Sequence, residues 1–211
     1  MKLVPKRPPG RPRSFDRNAA LDCAIPVFWA KGYDGASFRD LTTAMGISAP
    51  SLVAAFGDKR ALFDAAVARY CETIAARPLD ALEGTNDLRD RLKAFFEGVI
   101  ANVSGNGHPT GCLVTCALAD AAGEDPAAST RLGMLLAAAD ESLARQFRLA
   151  GFDAEEARAR AQIAAATMHS LTLRARAGVP KAELQQLSEA AITILGLRPA
   201  PALANEALPQ F

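Results

Sequence analysis

The sequence predicts an all-α fold, and three observations carry that expectation. Aromatic residues make up 6% of the 211-residue chain while Ala, Leu and Arg are abundant, a balance that favours helix over strand. Apolar residues recur at helical spacing through most segments. Ser or Asp stands before several of those segments and Gly after them, the positions where side-chain caps and left-handed turns close a helix.

In chain order, Met1 to Arg13 mixes Pro5, Pro8, Pro9, Gly10 and Pro12 with Lys2, Lys6, Arg7, Arg11 and Arg13, so residues 1–14 are expected to form a disordered basic arm. Asp16 caps a first helix with Ala20, Leu21, Ala24, Val27 and Phe28 on one face, ending at Gly32, with a bend or a weak last turn expected from Pro26. Ser37 with Asp40 three residues on is an acidic capping box for a short second helix that Gly46 closes. Ser48 caps a third, with Pro50 in its first turn and Phe56-Gly57 at its end. Asp58 caps a fourth through Leu62, Phe63, Ala66, Val67, Tyr70 and Ile74, with Pro78 as its limit. Longer helices are expected over 87–103, 111–122, 127–150, 153–177 and 180–196, and a flexible tail over 199–211.

Charge and cysteine usage narrow the function. The net charge is +1, but residues 1–60 hold ten Lys and Arg against five Asp, and the first thirteen residues hold no acid, which marks a candidate polyanion contact. No apolar run reaches the ~18 residues of a membrane span, and four scattered cysteines make no disulfide framework, so a cytoplasmic protein without membrane partners is expected. The chain has no Gly-x-Ser-x-Gly or His-Glu-x-x-His motif and only two histidines; neither an enzyme nor a cofactor is expected.

The second and third helices are separated by Gly46-Ile47-Ser48 alone, the spacing of a helix-turn-helix. A helix that enters a major groove must be short, capped and small-faced, and Ser48, Ala49, Pro50 and Ser51 meet that demand. The residue order Ala24, Phe28, Gly32, Gly35-Ala36-Ser37, Arg39-Asp40-Leu41, Met45-Gly46-Ile47-Ser48, Ser51-Leu52, Phe56-Gly57-Asp58-Lys59, Leu62-Phe63 closely resembles the N-terminal domain of TetR-type regulators over about fifty ungapped residues. The resemblance implies an all-α homodimer: a helix-turn-helix DNA-binding domain over 15–60 and a larger ligand-binding and dimerisation domain over 61–198. It places Ser37 and Arg39 at DNA contacts of the second helix, and Ala49, Pro50, Ser51, Val53 and Ala54 on the recognition helix. Lys59 falls at a phosphate seat, as a cation beside free helix-start N–H groups should. Arg11 and Arg13 flanking Pro12 are similar to minor-groove arms. Two positions depart from the family pattern: Val53 stands where an aromatic, usually Tyr, is common, and Ala55 where a polar or aromatic residue is frequent. The missing hydroxyl removes about 1 kcal/mol of phosphate hydrogen bonding.

In the larger domain the resemblance is weaker, although Gly111-Cys112-Leu113-Val114 is similar to a helix start in one branch of the family. Phe95, Phe96, Val99, Cys112, Leu113, Cys116, Met134, Leu135, Met168, His169, Leu171 and Thr172 are candidates to line a pocket for a small, largely apolar inducer, with plain core as the competing reading. His108, Cys112 and Cys116, spaced four apart, suit a metal only if a fourth ligand arrives, and no metal is assigned. The cysteine pair also suits oxidant sensing or simple packing. Ala161, Ala164, Ala165 and Met168, with Leu184, Leu187, Ala191, Ile194 and Leu195, are small and aliphatic enough to form a four-helix seam with a second copy, or to pack within one chain. The leading expectation is a repressor released from a near-palindromic operator by an inducer; the alternative is a helical small-molecule-binding or thiol-sensing protein with weakened DNA binding.

Overall fold

The structure, a computed structural model, describes residues 15–84, 87–105 and 107–197. The basic arm with Arg11 and Arg13, and the tail over 199–211, lie outside the described residues. Ten α-helices follow in order among the described residues: α1 (Arg17–Gly35), α2 (Phe38–Met45), α3 (Ala49–Phe56), α4 (Lys59–Tyr70), α5 (Arg77–Asp80), α6 (Leu88–Val103), α7 (Ala119–Ala121), α8 (Pro126–Leu149), α9 (Ala154–Arg176) and α10 (Lys181–Ile194).

Side-chain caps set most of the helix starts. Asp16 accepts from the Asn18 amide at 2.7 Å, and Ser37 and Asp40 cap each other's backbone amides at 3.1 Å each. Ser48 accepts from Ser51 N and Asp58 from Ala61 N. Gly46 closes α2 at φ 64°, ψ 27°, a left-handed conformation that costs an L-residue roughly 1 kcal/mol. The first helix runs through Pro26, breaks at Gly32 (φ 73°, ψ 179°) and makes one further turn to Gly35.

Pro78 does not end the fourth helical path. After Tyr70 the backbone widens into a π turn over Cys71–Ala75, and Pro78 sits in the first turn of α5, where a missing N–H is no loss. The segment expected over 111–122 likewise begins with a π turn, Val114–Leu118, followed by α7.

Two apolar clusters hold the molecule. The first joins α1 to α4 with Leu113, Val114, Ala117, Leu118 and Ala128, centred on Phe28, whose ring meets Phe63 edge-on at 5.0 Å. The second packs α6, α8, α9 and α10 around Phe95, Phe96, Phe147 and Leu184. Ala157, Ala161 and Ala164 are buried and let neighbouring helices approach α9 closely. This corrects part of the expected intermolecular seam: Ala161, Ala164, Ala165, Leu184, Ala191 and Leu195 are consumed inside the chain. Exposed instead are Ile163, Ala166 and Leu173 on α9 and Ala190 and Ile194 on α10, with Leu187 half-buried, spaced so that each helix presents one apolar strip.

Ion pairs join the two ends. Arg60 on α4 pairs with Asp64 and with Asp125, the N-cap of α8, and Arg131 on α8 returns to the Asp64 carbonyl at 3.0 Å. Arg176 at the end of α9 donates to the carbonyls of Thr110 and Ala30.

Candidate nucleic-acid interface and ligand cavity

The helix-turn-helix forms because α3 can be buried on one side only. Leu52, Ala55 and Phe56 enter the core, so Ser48, Ala49, Pro50, Val53 and Ala54 are left exposed, with Ser51 half-buried between them. Val53 is 52% exposed, a bare aliphatic in the middle of a small, smooth face. Ala55 is buried, so its departure from the family pattern changes packing under α3 and not the exposed surface. Arg17 fixes the far end of α3, donating to the Ala55 carbonyl at 2.7 Å with its guanidinium over the Phe56 ring.

Cations border this face. Arg39 is exposed and has no ion-pair partner among the described residues. Its neighbour Phe38, which the sequence did not single out, is 41% exposed. Lys59 opens α4; its ammonium donates to the Asp34 carbonyl at 3.3 Å and lies 4.7 Å from the Tyr33 ring centroid. These contacts pin the charge at the helix start without neutralising it. Lys31 bonds Asp40 at 2.7 Å; this contact, followed by those of the Ser37 hydroxyl and amide, holds the Asp40 carboxyl well below the usual carboxylate range. Ser37 is exposed, but its hydroxyl serves the cap and Asp40.

A cavity of about 230 Å³ opens between the end of α4, the first π turn, α6, the second π turn, α8 and α9. Of the residues singled out in the sequence, Phe95, Val99, Cys112, Leu135, Met168, His169 and Thr172 line it. Five others do not. Phe96 lies on the next position round α6 and, like Leu171 of α9, is buried in the second core, and Leu113 is wholly buried in the first. Met134 is 69% exposed on the outer side of α8, one position from Leu135. Cys116 packs behind the wall, where a Cβ on Gly111 would come within 3.1 Å of its Sγ. Tyr70, Cys71, Asn102 and Thr115 line it as well. In the sequence Tyr70 is one more residue of a core stripe that continues to Ile74; Asn102, a polar residue in the apolar run of α6, is the one available signal.

The polar groups of the wall largely satisfy one another. Tyr70 is 2% exposed and its hydroxyl donates to Cys112 Sγ at 3.2 Å. Its ring meets Trp29 of α1 edge-on at 5.1 Å, and Trp29 in turn stacks on His108 at 4.8 Å. Thr115 and Thr172 pair through their hydroxyls at 3.1 Å, and Asn102 Nδ2 donates to the Ile74 carbonyl at 2.8 Å. Burial pushes the Cys71 thiol up to about 11 and raises the Tyr70 hydroxyl above its ordinary value, so both stay protonated at neutral pH. Burial lowers the His169 pKa against the opposing pull of Asp140, which keeps the ring neutral. His108 is committed to Trp29, and among the described residues no group of three His, Cys, Asp or Glu side chains could hold a metal ion. Among them, too, no helix is long and apolar enough to cross a membrane.

Comparison with known proteins agrees with this geometry. The family model described as "Bacterial regulatory proteins, tetR family" matches residues 20–66, the helix-turn-helix and the start of α4. The HTH-type transcriptional repressor ComR of Escherichia coli (strain K12) is 38% identical over 110 residues, 52% of this chain and 52% of that protein. The transcriptional repressor BdcR of the same organism is 36% identical over 108 residues, 51% and 55% of the two chains. The chain thus spans about half the length of the curated relatives it matches. A solved structure covers more: a cysteine mutant of the TetR family transcriptional regulator CifR, complexed with a 26 bp double-strand operator DNA, superposes with a TM-score of 0.80 at 32% identity over 87% of this chain and 98% of that one. These relatives are transcriptional regulators, and with this coverage the chain belongs to the TetR family of transcriptional regulators.

Proposed function

We propose that this regulator is a cytoplasmic repressor that binds a near-palindromic operator as a homodimer and leaves it when a small, largely apolar inducer fills the cavity. The observation that carries the reading is the course of α4: Lys59 at its first residue borders the exposed face of α3, and Tyr70 at its last residue forms part of the cavity wall. A molecule that displaces Tyr70 therefore pushes on the element that carries Lys59, and through Trp29 on α1. In this reading Ser37, Arg39, Ser48, Ala49, Pro50, Ser51, Val53, Ala54 and Lys59 meet DNA, with Arg11 and Arg13 supplied by the arm. The apolar strips containing Ile163, Leu173 and Ile194 supply the surface for a second copy, which sets two recognition helices about one turn of DNA apart. The two relatives named as repressors, and the operator bound in the CifR complex, support the same direction.

The test is selection of the purified chain against a randomised duplex library, followed by salt titration of the best binder and a promoter-reporter assay. A near-palindrome bound by two copies, with affinity falling steeply in salt and reporter output rising when the gene is deleted, is the expected result. Binding by one copy, or reporter output that falls on deletion, would overturn the dimeric and the repressor reading respectively.

A further inference from the structure

The cavity wall carries a chemical selectivity. Among the described residues no Asp, Glu, Lys or Arg side chain lines it, and Asp140, whose charge acts on His169, is not part of the wall, so a charged occupant would lose its hydration without a counter-ion in contact. The Tyr70, Thr115 and Thr172 hydroxyls already have acceptors in the protein, and Asn102 gives one of its two amide protons to the Ile74 carbonyl. His169 is different. Its ring belongs to the wall, yet Nδ1 is sealed from solvent and has no hydrogen-bond partner among the described residues, which leaves Nε2 as the nitrogen an occupant can reach.

A neutral imidazole carries one proton, and an unpaired buried N–H is a costlier orphan than an unpaired buried acceptor. The proton therefore belongs on Nε2, where it can be donated into the cavity. We propose that the occupant is an uncharged molecule of about ten non-hydrogen atoms, apolar over most of its surface, with one acceptor oxygen of the carbonyl kind that takes the His169 Nε2–H hydrogen bond. The size follows from a 230 Å³ space against the ~150 Å³ that holds a benzene ring. This inference rests on the cavity being the regulatory site, and deepens that reading by naming the ligand chemistry.

The test is calorimetric titration of the DNA-free chain with four molecules of one shape: acetophenone, isopropylbenzene, benzoate and benzamidinium. Acetophenone is expected to bind about fivefold more tightly than isopropylbenzene, with no detectable binding of the two ions, and His169→Leu should erase the difference between the two neutral probes. Because the chain has two histidines, nitrogen-15 spectra of histidine-labelled wild-type protein test the same point without a substitution. The His169 ring should be the Nε2–H tautomer, and acetophenone should shift its Nε2 signal. Tighter binding of benzoate or benzamidinium, no binding of any probe, an Nδ1–H tautomer, or a preference that survives His169→Leu would each overturn the proposal. Operator affinity is measured separately. Acetophenone bound with operator affinity unchanged would end the regulatory reading while leaving the ligand chemistry standing, whereas a preference for an ion would do the reverse.

Discussion

Tyr70 offers a way to separate what its ring does from what its hydroxyl does. The ring is 2% exposed, meets Trp29 edge-on at 5.1 Å and closes one side of the cavity. The hydroxyl donates to a thiol sulfur at 3.2 Å, and sulfur is a weak acceptor. Tyr70→Phe keeps the ring and loses only the contacts of the hydroxyl, so it should cost about 0.5–1 kcal/mol of unfolding free energy. Tyr70→Ala removes the ring beside an existing cavity that cannot collapse onto the gap, and should cost about 3–5 kcal/mol. Urea unfolding followed by circular dichroism measures both. The single tryptophan gives a second readout: its emission should be unchanged in the Phe variant and red-shifted in the Ala variant, where water reaches Trp29. Equal costs for the two substitutions, or a Trp29 spectrum indifferent to both, would refute the claim that aromatic packing ties the cavity wall to α1.

Further outcomes follow from the interface. Lys59→Ala should weaken operator binding to a similar extent across operator variants and lower the salt slope by about 1, read by fluorescence anisotropy at several salt concentrations. Val53→Tyr places a phenol on a 52% exposed position of α3 and should tighten operator binding by about 1 kcal/mol, roughly fivefold, with thermal stability unchanged. Gly46→Ala meets no atom within 4 Å but keeps a left-handed residue, so it should lower stability by roughly 1 kcal/mol for conformational reasons alone, measured by denaturant unfolding. The folded-state pKa of Asp40 is depressed; its contribution to stability is present above the unfolded carboxylate value near 4 and is lost as pH falls through the depressed range. Asp40→Asn should therefore flatten the acid limb of a stability-versus-pH curve.

Local rules made the DNA-facing end legible. Asp16, Ser37, Ser48 and Asp58 each satisfy backbone amides at a helix start, which depends on neighbours three residues away and can be read from sequence. The cavity obeys no such local rule. Phe95 and Phe96 are chemically identical neighbours about 100° apart on α6, and only the placement of α8 and α9 decides which one faces empty space. Met134 and Leu135 repeat the lesson on α8, where one step separates solvent from the wall. The alanines of α9 leave a seam with a second copy and packing within one chain both open for a related reason. Small residues announce a close approach but not whether the approaching helix belongs to the same chain. Pro78 misled because a proline that forbids the middle of a helix is welcome at the start of one.

The two π turns, Cys71–Ala75 and Val114–Leu118, both supply residues to the cavity wall. The first widens one turn of the path from α4 to α5, and the second opens the segment that runs into α7. A change of one residue in chain length at either turn would thus re-index the side chains that face the cavity, exchanging Cys71 or Thr115 for a neighbour, while Lys59 and the face of α3 keep their register. The chemistry of the wall is thus open to change in two ways, side-chain replacement and single-residue insertion or loss, and the second alters several wall positions at once.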